Sequence, residues 1–148
     1  MSGYKFAVGY GRGEIEPKIA PLVDAVTKAS FITFSSCEGH IDDPANEQAP
    51  RRFTGAAFYA HEDEARLVHE FFLSYRDRLA CSWCFEGGFV MHRKTNLWTL
   101  GWTLQNCGII EHVATSDFEP RTVEAGWNAD IPMLVKMFAD IGSRRTVS

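Results

Sequence analysis

No stretch of this chain approaches the ~18 uninterrupted apolar residues of a membrane-spanning helix. The N-terminus, Met1-Ser2-Gly3-Tyr4-Lys5, leads into no long apolar signal core. Both absences point to a cytoplasmic protein with no membrane partner. Positive charge is also short. Lys and Arg total 15 against 19 Asp and Glu, for a formal net charge of -4. Nucleic-acid binding draws on Lys and Arg contacts to phosphate, so this balance makes a nucleic-acid partner unlikely without excluding a local basic patch. There is no internal repeat and no low-complexity segment. The run Gly9-Tyr10-Gly11-Arg12-Gly13 lacks the Lys-Ser/Thr ending of a phosphate loop and reads as a plain glycine-rich loop. Cysteine is limited to Cys37, Cys81, Cys84 and Cys107. In a reducing compartment such thiols are expected to be free, metal-bound or catalytic rather than disulfide-linked.

What is present suffices for one domain. The 148 residues, 45% of them hydrophobic, can build one substantial core. Residues 18–29 repeat Ile19, Leu22, Val23 and Val26 on one helical face, with Pro21 in the first turn. Residues 31–36 read as a strand, and 53–60 as a second strand antiparallel to it. Between them a polar loop spans 37–52, of a length that tends to be either functional or disordered. The firmest helix covers 63–79. Its stripe is Leu67, Val68, Phe71, Phe72, Tyr75 and Leu79, and its charges match the helix dipole. A strand over 82–93, broken near Gly87-Gly88, is joined by a turn at Lys94-Thr95-Asn96 to a strand over 97–105. In that last strand Trp98, Leu100, Trp102 and Leu104 share one face. Thr99, Gly101 and Thr103 share the other, either solvent or the floor of a shallow pocket. Residues 109–113 suggest a further strand. A final helix is expected over 131–142, capped by Asp130 and ended by Gly142. The expected fold is α+β: an antiparallel or mixed sheet of four to five strands, with about three helices packed mainly on one face.

The stretch richest in chemistry is Ser35-Ser36-Cys37-Glu38-Gly39-His40. A thiol, a carboxylate and an imidazole fall within four residues at a strand end, where scaffolds present functional groups. Cys37, Glu38 and His40 are the catalytic candidates, since an imidazole can populate a thiolate and a carboxylate can orient it. The loop amides can form an anion nest. The structural alternative is a small buried Cys37 and hydroxyls that satisfy turn amides. Arg51 and Arg52 complete a candidate ligand site by neutralising an anionic ligand. A zinc set, Cys37, His40, Cys81 and Cys84, has knuckle-like spacing. Its weakness is that Cys81 and Cys84 enter a strand, where i and i+3 face opposite ways. Of the tryptophans, Trp98 and Trp102 can mark a partner surface.

The six residues Ser35–His40 resemble the Ser-Ser-Cys-Ser-Gly-Arg signature of the wybutosine-synthesis tRNA methyltransferase family. Ser35, Ser36, Cys37 and Gly39 match, while Glu38 and His40 depart from the pattern. The resemblance implies a shared scaffold with a ligand pocket at this loop, and S-adenosylmethionine as cofactor if the activity is shared. Three functions follow: a small-ligand binding or modifying domain with its pocket at Ser35–His40, a non-catalytic regulator or inhibitor that binds a protein partner, and an S-adenosylmethionine-dependent RNA-modifying enzyme.

Overall fold

A computed structural model describes residues 15–37, 54–92, 94–106 and 120–147. In chain order these form α1 (Ala20–Lys28), β1 (Ile32–Cys37), β2 (Gly55–Tyr59), α2 (Glu62–Tyr75) with a 3-10 turn at Arg76–Arg78, β3 (Trp83–Met91), β4 (Trp98–Asn106) and α3 (Pro120–Val147). The four strands make one antiparallel sheet in the order β1-β2-β4-β3. This is the expected α+β architecture with four strands among the described residues. The further strand expected at 109–113 lies outside them. No described helix is long and apolar enough to cross a membrane.

The helical face of the sheet carries the core. Phe58 of β2 packs on Phe31 at 4.9 Å, Phe85 at 6.0 Å and Phe138 at 5.8 Å between ring centroids. Ile19, Leu22 and Val26 of the first helical segment are buried, as their spacing requires. Leu134, Met137, Phe138 and Ile141 of α3 complete the layer. Gly142 sits where a Cβ would meet Ala29 at 3.3–3.6 Å. Its role is therefore close approach of α3 to the end of α1, and not the helix end that the sequence suggests.

Two further expectations are corrected. α3 is 28 residues long and holds Pro132 in its interior. Proline costs about 3 kcal/mol inside a helix, but here the buried face on both sides of it outweighs that cost. Asp130 is accordingly an interior helical residue and not a cap. β3 also runs through Gly87-Gly88 without a register shift. Gly87 is required there because the Trp102 indole, directly across the ladder, lies 2.6–2.8 Å from where its Cβ would be. The turn between β3 and β4 is closed by His92 N–H to Leu97 O at 2.9 Å, with Asn96 at φ 55°.

α2 starts as its acidic first turn implies. The Glu64 carboxylate accepts from the His61 amide at 2.9 Å and from Arg145 Nη2 at 2.6 Å. Burial alone raises the Glu64 pKa, but the amide and the guanidinium together hold it below its usual value. Its stabilisation is thus complete above the ordinary carboxylate range and is lost as pH falls through the lowered folded value. Glu64→Gln is expected to cost about 1 kcal/mol at pH 7, with the difference from wild type vanishing in acid. Urea unfolding at pH 7 and pH 3 measures both; an unchanged difference at pH 3 refutes the assignment.

Candidate functional site

The side of the sheet away from the core is built from small residues. Cross-strand partners share a face, so the register sets out three rows. Ser35, Ala57, Thr103 and Glu86 form one, and Gly55, Gln105 and Cys84 the next. The third contains Tyr59, Gly101 and Gly88. Gly55 is needed because a Cβ there would stand 2.8 Å from Gln105 Cα. Gly101 is needed because the Phe34 ring lies 3.0 Å from where its Cβ would be. A bulge between Thr33 and Ser35 places Phe34 on this side. It packs on Tyr59 at 4.5 Å, and Tyr59 in turn stacks on His92 at 4.8 Å. An aromatic wall therefore bounds one end of a floor of glycine, alanine and threonine.

That floor is not a solvated face. Ala57 is 1% exposed and Thr103 9%, whereas Trp98 on the large-residue face is 68% exposed. Of the two uses that the sequence leaves open for the small face, exposure to solvent is therefore excluded at Ala57 and Thr103. The Ser35 hydroxyl is buried here without a hydrogen-bond partner among the described residues. The same row holds Thr103 on β4 and, at the far edge of the sheet, Glu86 on β3, with Gln105 in the next row.

The sequence candidates fall into two groups. Ser35, Ser36 and Cys37 form the last half of β1, paired with Ala57, Ala56 and Gly55. The strand thus runs one residue further than its apolar pattern implies. Glu38, Gly39, His40, Arg51 and Arg52 lie outside the described residues, as does the Cys37 side chain. Cys84 is disulfide-bonded, against the expectation that the cysteines stay reduced or bind metal. Its sulfur is then no thiolate ligand. Cys81 is free and lies against Gly126 of α3, so the strand entry separates it from Cys84 as the i, i+3 geometry requires. No group of three or more metal-ligating side chains occurs among the described residues.

A polar centre that sequence reasoning missed lies on the helical face. Asp130 is 2% exposed. Its Oδ1 accepts from the Ala80 amide at 2.6 Å, and its Oδ2 from the Cys81 amide and Trp83 Nε1, each at 2.9 Å. A buried carboxylate is retained only with such donors. The Cys81 thiol beside it is pushed up by burial first and by the Asp130 charge second, against an opposing Asn106 hydrogen bond. Cys81 therefore stays protonated at neutral pH, which is the opposite of an activated nucleophile. No family model, curated protein or solved structure matches the chain.

Asp130→Ala strands three donors and is expected to destabilise by about 3 kcal/mol or more, with Asp130→Asn losing less because its carbonyl still accepts. Denaturant titration of both variants checks this. Equal losses would mean that packing, and not the hydrogen bonds, sets the cost. Alkylation at pH 7 should modify Cys81 more slowly than a free thiol of ordinary pKa, and mass spectrometry of the labelled protein reads the rate.

Proposed function

We propose that the chain is a small-ligand-binding domain whose site is the enclosed small-residue face at the Ser35 end of β1. The observation that carries this reading is the buried Ser35 hydroxyl with no partner among the described residues. An unsatisfied buried hydroxyl costs about 1–3 kcal/mol, a cost that a ligand donor or acceptor removes. Thr103 and Glu86 in the same row supply one hydroxyl and one carboxylate. The Phe34–Tyr59–His92 wall supplies a flat apolar side. The site so built suits a small, partly aromatic or planar molecule that offers hydrogen-bond donors.

Native mass spectrometry of protein purified without chelator tests the reading. The expected result is a co-purified small molecule that Ser35→Ala and Glu86→Gln both lose, with the fold kept by circular dichroism. Ser35→Ala should also raise the stability of the ligand-free chain by about 1 kcal/mol, because it deletes an unpaired hydroxyl. A bare chain together with destabilisation by Ser35→Ala would assign this hydroxyl to the structure and overturn the proposal.

A further inference from the structure

We propose that the chain self-associates through β3 as an antiparallel two-fold dimer centred on Gly87. β3 is an edge strand of nine residues, with β4 as its one neighbour among the described residues. The turn fixes which of its peptide groups point away from β4. His92 donates to Leu97 and accepts from Asn96, so its peptide group points at β4. By alternation Cys84, Glu86, Gly88 and Val90 also point at β4, while Trp83, Phe85, Gly87, Phe89 and Met91 point outward. The other side of β4 agrees: Leu100 O accepts from Ala60 and the Asn106 amide donates to Thr54. Even-numbered β4 groups thus face β2 and odd-numbered ones face β3.

Natural edges are blunted by lysine, proline, bulges or inward charge. Trp83–Met91 has no lysine, arginine or proline, no bulge, and Glu86 as its one charge. It carries instead Phe89 at 67% exposure and Met91 at 44%, beside Trp98 at 68% on β4. Such a cluster marks an interaction surface.

The strand is also complementary to itself, which selects a second copy as the occupant. One antiparallel register pairs all nine residues, the one with Gly87 opposite Gly87 of the other copy. It bonds every outward peptide group. It sets Phe85 against Phe89 and Trp83 against Met91 on the helical face, both favourable cross-strand pairs. Glu86 meets Gly88, so the two carboxylates are not directly opposed. At the centre, the absent side chains of Gly87 leave the two strands room for the Trp102 indoles, each of which already lies across its own Gly87. Exposed Phe89 and Met91 become covered, and an eight-stranded sheet closes at two copies, because a two-fold contact uses the same patch on both.

Sedimentation velocity from about 1 µM to about 1 mM tests this. A monomer–dimer equilibrium is expected, weakened at least ~10-fold by Phe89→Lys, which places a lysine on the edge. Leu73→Lys, on an exposed position of α2, should leave the equilibrium unchanged. Hydrogen exchange at low and high concentration gives an independent reading: the Phe85, Gly87 and Phe89 amides gain protection on dimerisation, and those of Glu86, Gly88 and Val90 do not. A monomer at every concentration overturns the proposal. So does a dimer insensitive to Phe89→Lys with no alternating protection, or an assembly that grows past two copies.

Discussion

The Asp130 carboxylate joins the two halves of this fold. α3 supplies the carboxylate, and the segment entering β3 supplies three donors to it, from residues 47 to 50 positions away in sequence. The segment after the 3-10 turn has no regular ladder of its own, so its amides need an acceptor from elsewhere. Asp130 provides it and thereby sets where β3 begins. Because β3 pairs with β4 over its full length, that start also sets the register of the hairpin. Gly126, one turn earlier on α3, leaves space for the Cys81 sulfur in the same contact. A side chain at Gly126 would push α3 off the strand entry, so the small residue and the buried acid act on one joint.

Much of this was legible in the sequence where the signal was periodic. The stripes of α1 and α2 are buried as their spacing indicates, with Val68, Phe72 and Tyr75 inside. The alternation in β4 places Leu104 and Trp102 on the helical face. The errors have a common cause: a local sign was read without its tertiary partner. Asp130 before Pro132 has the local form of a helix start. A long helix buried on both sides of the proline overrides that form, and the acid's partners are too distant in sequence to be seen. Gly87-Gly88 has the form of a strand break, but Trp102 across the ladder fills the space that the missing side chains leave. Gly142 has the form of a helix end, while its cause is the backbone of Ala29 on another helix.

The candidate site was legible only in part for the same reason. Ser35 attracts attention as a member of a polar run after an apolar strand. That run says nothing of Thr103 and Glu86, which the sheet register brings into the same row from two other strands. The small face of β4 shows in the sequence as Thr99, Gly101 and Thr103. Whether such a face meets water or is enclosed depends on what packs against it. The burial of Thr103 shows that this face does not meet water there. The pairing state of the cysteines is a three-dimensional property too. The expectation of a reducing compartment, drawn from the lack of an apolar span or signal core, implies unbonded cysteines, yet Cys84 is bonded and Cys81 is free.

The two faces of the hairpin place different demands on the same residues. On the helical side, Trp102 lies over Gly87 and covers part of the strand that a side chain would otherwise cover. On the other side, Gly101 and Gly88 keep the floor low, with the Phe34 ring set on Gly101. Glycine on β3 and β4 thus serves the packing of an indole on one side and of the Phe34 ring on the other. Glycine also weakens a strand through backbone entropy. A hairpin that carries Gly87, Gly88 and Gly101 in adjacent register positions therefore needs support beyond its own ladder. Below Gly101 that support is β2, which pairs with β4 from Gly101 to Gln105. Above it, the ladder has two strands only among the described residues, and an isolated two-stranded ribbon is marginal in water. Phe89, Met91, Leu97 and Trp98 all lie in that upper part, exposed. The region with the least intramolecular support is thus also the one with the most unburied apolar surface.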